Sequence, residues 1–357
     1  RLKKMSILLP VFEWFTYVGL SLLLGFAVLQ YVPLTKKPTI LLSKRWLLAS
    51  AAAVAIFSVG NSLEIILSFS KIRGLGETVR LVLLETRTGH AWIFVVLIAI
   101  LCMVAVSIES HPHMYTLLTV ALVGGIAYAS HAASASALSG MLSHSLHILA
   151  VGLWGGVVLI VAAFSKETSN WKSFLSWFTP FAIACFVLLS LSGFISMVII
   201  IGLSNYVNSW ATDYGQSLLL KHITIIPLLA FAVINGFLME KTIKHPEYKA
   251  VMWIRAETTI LLIIFLFTAI MVTQSPPTNI SHMAMDSSIL PFIYGKQVTL
   301  PLTFHVTIVG ILFLFVALLF FVYLLVCFYK KTVWLSVLSA GLFVFPFYIA
   351  MMTSIQV

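Results

Sequence analysis

The sequence predicts an all-α fold, a polytopic transmembrane helical bundle of about ten spans. Three observations predict it. The 357 residues are 61% hydrophobic and only 9% charged, with a mean hydropathy of +1.08, whereas soluble domains average about 25% charged residues. Apolar runs of spanning length, about 20 residues, recur along the chain, and the basic residues fall in short groups between them. A water-soluble enzyme or a nucleic-acid binder of this composition has too little polar surface to cover itself. The formal charge of +10 therefore reads as membrane topology, not as a polyanion site.

The spans are expected at about 5–32, 46–69, 90–108, 114–131, 139–164, 174–201, 215–239, 254–273, 301–328 and 333–353. Between the second and third, residues 71–88 carry Lys71, Arg73, Glu77, Arg80, Glu85 and Arg87, with Leu75, Val79, Val82 and Leu83 at helical spacing. That pattern predicts an amphipathic helix along the membrane surface. No soluble domain interrupts the series, so 1–357 reads as a single integral membrane domain with an extracytoplasmic loop at 274–301. With the N-terminus outside, the cytoplasmic loops hold Lys36, Lys37, Lys44, Arg45, Lys166, Lys172, Lys241, Lys244, Lys249, Arg255, Lys330 and Lys331. The outside then holds Arg1, Lys3, Lys4, Lys71, Arg73, Arg80, Arg87 and Lys296. Twelve against eight favours that orientation for both termini. The start at Arg1 instead of Met is expected to mark a removed N-terminal part or a piece of a longer protein.

On this topology five histidines share one layer near the outer surface. His131 ends the fourth span, His144 and His147 lie in the outer half of the fifth, His222 in the seventh, and His305 just inside the ninth. His144 and His147 are three apart and share a helix face, which Met141 and Trp154 extend. A lone intramembrane histidine more often serves only to hydrogen-bond a neighbouring helix. Several at one depth point to a cavity, because polar groups in lipid are expensive, and imidazole is the commonest metal ligand. The outer loop adds His282-Met283-Ala284-Met285; thioether sulfur selects Cu(I) and imidazole suits copper as well, although loop methionines also tuck onto helices.

Lys221 either snorkels outward or lines the same cavity. Glu13, Asn61, Glu64 and Glu257 are intramembrane polar groups for which a structural hydrogen bond competes with an ion or proton relay. Gly152, Gly155 and Gly156 beside Trp154 read first as a packing device. Cys102, Cys185 and Cys327 lie far apart in apolar runs and read as small buried hydrophobes. No GxxxxGK[ST], CxxCH or HExxH motif occurs, so nothing supports ATP-driven transport by this chain, covalent haem or zinc-protease chemistry. The chain is not expected to be an enzyme.

The stretch HAASASALSGMLSHSLHILAVGLWGGVVL, from His131 to Leu159, resembles the central signature of the copper resistance protein D (CopD) family. Further pieces agree in order: the Thr212-Asp213-Tyr214-Gly215 turn followed by Lys221, then Asn235, then Arg255 and Glu257, then Pro276-Pro277. The resemblance covers about 131–277, the expected core. It implies copper import across the bacterial cytoplasmic membrane, copper handling at His131, His144 and His147, and a CopC-like extracytoplasmic copper-binding domain as fused or separate partner. His222 and His305 join that site by depth alone; His282, Met283 and Met285 join it by ligand chemistry as an outer collecting site, with Cu(I) or Cu(II) as the ion. Met141, Trp154, Tyr214 and Lys221 are cavity or gating residues in this reading. Two rivals stand beside it: a b-type haem protein with bis-histidine ligation, and a copper sensor or chaperone subunit without transport.

Overall fold

The computed structural model describes residues 2–166, 168, 170–238, 248–277, 289–295 and 300–356, with side chains from residue 8 onward. Among them, nine helices are long and apolar enough to cross a membrane, and the chain is a multi-pass membrane protein. A tenth expected span forms helix α6 (Pro112–Tyr128), which at 17 residues falls just short of spanning length. The chain folds as two compact units, Arg1–Ile199 and Ile200–Val357.

The first unit contains α1 (Leu2–Gln30), α2 (Lys44–Phe57), α3 (Gly60–Arg73), α4 (Leu75–Glu85), α5 (Arg87–Ser107), α6, α7 (His131–Ala135), α8 (Ala137–Phe164) and α9 (Trp171–Ile200). Lipid tails are as apolar as leucine, so burial alone does not drive membrane helices together, and close packing must. α1 and α8 meet at glycines. A Cβ on Gly25 would lie 2.2 Å from the carbonyl carbon of Gly156, and one on Gly156 would lie 2.0 Å from the Ser21 oxygen. Around this crossing Leu20, Leu23, Leu24, Leu122 and Ile148 form a buried cluster.

The expected second span is two helices, α2 and α3, parted at Ser58–Val59. The buried Glu13 of α1 faces this break across Gly60 and is hydrogen-bonded by Tyr17. The basic 71–88 stretch forms the end of α3 and all of α4, with Thr78 and Val82 buried one turn apart and Glu77 and Arg80 exposed. Thr86 then caps α5 by accepting from the Gly89 amide at 3.1 Å.

The second unit starts with short 3-10 turns and continues as α10 (Asp213–Val233), which widens into a π turn at Ile234–Leu238. There follow α11 (Ala250–Val272), the short α12 (Ile289–Tyr294), α13 (Ile308–Tyr329) and α14 (Val333–Thr353). α13 and α14 form a hairpin in which Ser336 and Ser339 donate to the carbonyls of Leu324 and Phe320 at 3.3 and 2.6 Å. Ile308, Ile311, Leu312, Phe315, Leu318 and Leu319 of α13 are exposed, as an apolar face turned to lipid requires.

One expected span begins later than its apolar run. Thr303–Phe304 (β1) pairs antiparallel with Ile355–Gln356 (β2), and Thr307 caps α13 by accepting from the Gly310 amide at 2.9 Å. Residues 301–307 are apolar enough to read as helix, but the strand pairing and the cap hold them extended. His305 is therefore not inside a span. It is exposed, ahead of α13, with its backbone N–H donating to the Ser354 carbonyl at 2.7 Å.

Candidate functional site

α8 places His144 and His147 about 10 and 15 Å beyond its first residue, at 1.5 Å per residue. Both are half-buried. The face of α8 carrying His147 forms a seam with α9 inside the first unit. Ser196 donates to Ser143 at 3.0 Å, His147 lies against Leu189, Ser192 and Gly193, and Trp154 meets Phe186 edge-on with ring centroids 6.5 Å apart. Positions 143, 147 and 154 ascend one helix as 196, 189–193 and 186 descend the other, so the seam is antiparallel.

The bond at His147 fixes its chemistry. Nδ1 lies 3.2 Å from the Leu189 carbonyl oxygen, which can only accept, so Nδ1 carries the hydrogen. Nε2 is then the basic nitrogen of the neutral ring. A backbone carbonyl receiving Nδ1–H is the usual support behind a ligating histidine, because it sets both tautomer and ring orientation. Gly193 makes room for the ring: a Cβ there would lie 2.8 Å from Cε1 and 3.0 Å from Nδ1.

His131 heads the short helix α7, capped by Ser130, whose Oγ accepts from the Ala133 amide at 3.2 Å. α7 folds back tightly on α8, since a Cβ on Gly140 would lie 1.8 Å from the Ala132 oxygen. Arg87 pins it from α5, donating to the Ala133 carbonyl at 3.0 Å while sitting 4.3 Å over the Tyr128 ring.

His222, in the second unit, lies about 14 Å along α10. Its Nδ1 is 2.7 Å from the Tyr206 hydroxyl, with the two rings 5.7 Å apart. Burial pushes the Tyr206 phenol up to about 12, so it stays neutral and holds the ring by a hydrogen bond. Tyr214 is buried in the first turn of α10, where Thr212 caps by accepting from Gly215; a Cβ on Gly215 would lie 2.0 Å from the Ser209 oxygen. The Thr212–Gly215 turn thus serves to start the helix closely on the preceding 3-10 turn. Lys221 and Met141 are half-buried, and Trp154 is buried.

Of the eight expected ligands, His144 and His147 share one helix, His131 heads the helix before it, and His222 stands with Tyr206. His282, Met283 and Met285 lie outside the described residues. Among the described residues no group of three or more His, Cys, Asp or Glu side chains converges as a metal cage. Tyr206, Ser192, Gly193 and Ser196 escaped the sequence reading. Their partners are 16 to 53 residues away, and only the small residues Ser190, Ser192 and Gly193 hint at a helix seam.

Comparison with known proteins gives two matched stretches. The family model Copper resistance protein D matches residues 172–271, and the model Copper resistance protein D-like, N-terminal domain, matches residues 4–141. His144 and His147 fall between these stretches. "Inner membrane protein YebZ" of Escherichia coli (strain K12) is 22% identical over 285 residues, covering 73% of this chain and 95% of that protein. No solved structure matches.

Proposed function

The chain belongs to the copper resistance protein D family, and from that premise we propose that it imports copper ions across the bacterial cytoplasmic membrane, by transport and not by catalysis. The observation that carries the reading is His147 in α8, whose Nδ1–H is fixed on the Leu189 carbonyl so that Nε2 is its basic nitrogen. With His144 one turn before it, this makes an imidazole pair inside a membrane-spanning helix, suited to either copper state. His131, His222 and the outer His282, Met283 and Met285 serve as loading positions, and the termini face outward, as the Lys and Arg distribution favours. A CopC-like domain delivers the ion at that face.

Copper stoichiometry and uptake by the protein in proteoliposomes test this. His147→Ala is expected to lower both. Gly193→Val, which keeps the histidine but drives a methyl into its ring, is expected to lower them in the same way. Unchanged stoichiometry and uptake in both variants overturn the site, and a strong Soret band in the purified protein overturns the copper reading itself.

A further inference from the structure

Glu257 is a carboxylate in an unusual place. It lies about 10 Å along α11 and is only 3% exposed. Its partner is Asn235, 5% exposed, from the π turn that ends α10. The Asn235 amide nitrogen donates to Glu257 Oε2 at 2.8 Å and to the Trp253 carbonyl at 3.1 Å. The Trp253 oxygen accepts only, which confirms that the NH2 end of the amide is turned this way. Asn235 reaches across to α11 from this π turn, and such turns cluster at functional sites.

No salt bridge reaches Glu257 among the described residues. Arg255 on the same helix is exposed, with Nη1 3.7 Å from the Met252 sulfur. From α13 and the turn after it come Cys327, Tyr329, Lys330 and Lys331, the last of which sits 5.1 Å from the Tyr248 ring. α14 offers Tyr348, which donates to Gln216; on α10, Asp213, Tyr214, Lys221 and His222 all lie at the far end, His222 being thirteen residues, about 20 Å, from Asn235. A carboxylate this dry, with no ion-pair partner among the described residues, is costly to keep charged, so a proton or a cation is favoured there. The other end of the same amide, Asn235 Oδ1, is also buried without a hydrogen-bond partner.

The donor set is all oxygen, which is poorly matched to soft copper. The amide also presents hydrogens to the carboxylate, which would repel a metal ion on Oε2 but leave room for a proton on the other oxygen. We propose that Glu257 is a proton-binding site in the second unit, taking up a proton as the carboxylic acid and returning it to water as the carboxylate, with Asn235 as the positioning residue that steadies the anion. Only the use of that proton, to couple to copper movement, rests on the transport reading.

The whole chain in lipid vesicles, followed by difference infrared spectroscopy across pH, tests the site without copper. The unaltered protein is expected to show a carboxylic C=O band that fades as pH rises and is missing in Glu257→Gln. Asn235→Ala, which keeps the carboxyl and removes the donor to its anion, is expected to move that fading upward by about one pH unit. Absence of the band, or its persistence in Glu257→Gln, overturns the proposal, and Glu257→Asp, which keeps a titrating band, separates chemistry from misfolding. Copper uptake under an imposed pH gradient is expected to lose its gradient response in Glu257→Gln, and a full response there overturns the coupling. If the band behaves as expected while the unaltered protein takes up no copper, the proton site stands and the transport reading falls.

Discussion

The crossing of α1 and α8 is a direct place to test whether close packing holds the first unit together. Gly156→Ala adds a single methyl group. Its Cβ would lie 2.0 Å from the Ser21 oxygen, 2.6 Å from the Gly25 nitrogen and 2.8 Å from the Gly25 Cα, where ordinary contact begins at 3.4 Å. The neighbouring atoms are backbone and cannot swing aside, so the helices must part by 3.4 minus 2.0, or about 1.4 Å. Overpacking of this kind costs about 1–3 kcal/mol, more where the backbone must move. Against that, alanine gains up to about 1 kcal/mol over glycine in a helix, which leaves a net loss of up to about 2 kcal/mol. Gly124→Ala in α6 is the matched control, because a Cβ there meets nothing within 4 Å; it is expected to be neutral or stabilising by up to about 1 kcal/mol. Both variants can be unfolded by denaturant in mild detergent while helix content is followed by circular dichroism. Gly156→Ala as stable as Gly124→Ala would refute the close-packing argument for this crossing.

In the second unit, Tyr206→Phe removes the hydroxyl bonded to His222 Nδ1 and is expected to cost about 1 kcal/mol in the same unfolding assay; no loss would mean that water replaces the phenol. In the first unit, Lys44 and Glu109 form an exposed ion pair, and the hydrogen bond and charge of Lys44 hold the Glu109 carboxyl below its ordinary range. A carboxyl lowered in the folded state adds stability above its unfolded value and loses it as pH falls through the folded one. Glu109→Gln is therefore expected to show a small destabilisation near neutral pH that disappears in acid and in high salt; a difference independent of both would refute it.

The sequence made the helices easy to read and the contacts hard. Apolar runs map onto α1, α5, α8, α9, α10, α11, α13 and α14 because length and composition alone decide what can lie in lipid. They fail where two causes give the same composition. Pro301, Leu302, Phe304 and Val306 are as apolar as a span, yet strand pairing with Ile355–Gln356 keeps them extended, and His305 lies ahead of α13 with them. The break between α2 and α3 was likewise hidden, since Ser58 and Gly60 are tolerated inside membrane helices. At the site, the spacing of His144 and His147 was legible because both lie on one helix. The Leu189 carbonyl that fixes the His147 tautomer is 42 residues away, and a backbone acceptor leaves no mark on a sequence. Asn235 and Glu257 were visible singly, but 22 residues and a π turn separate them, so their bond was not.

Ligand chemistry connects these residues more firmly than depth does. Within the second unit, α10 carries an imidazole toward one end, His222, and an amide bonded to a buried carboxylate toward the other. Nitrogen ligands hold copper well, and carboxylate and carbonyl oxygens suit harder ions. A soft ion therefore has no reason to rest at Glu257, whereas a proton has, since its only requirement is a basic oxygen that is costly to leave charged. Under the proposed copper reading, the two ends of one helix would differ in the kind of ion each retains. Copper affinity should accordingly respond to substitutions among the histidines and not to Glu257→Gln, while proton uptake should respond in the opposite sense. A protein in which Glu257→Gln lowers the bound copper as much as His147→Ala does would show this division of labour to be wrong.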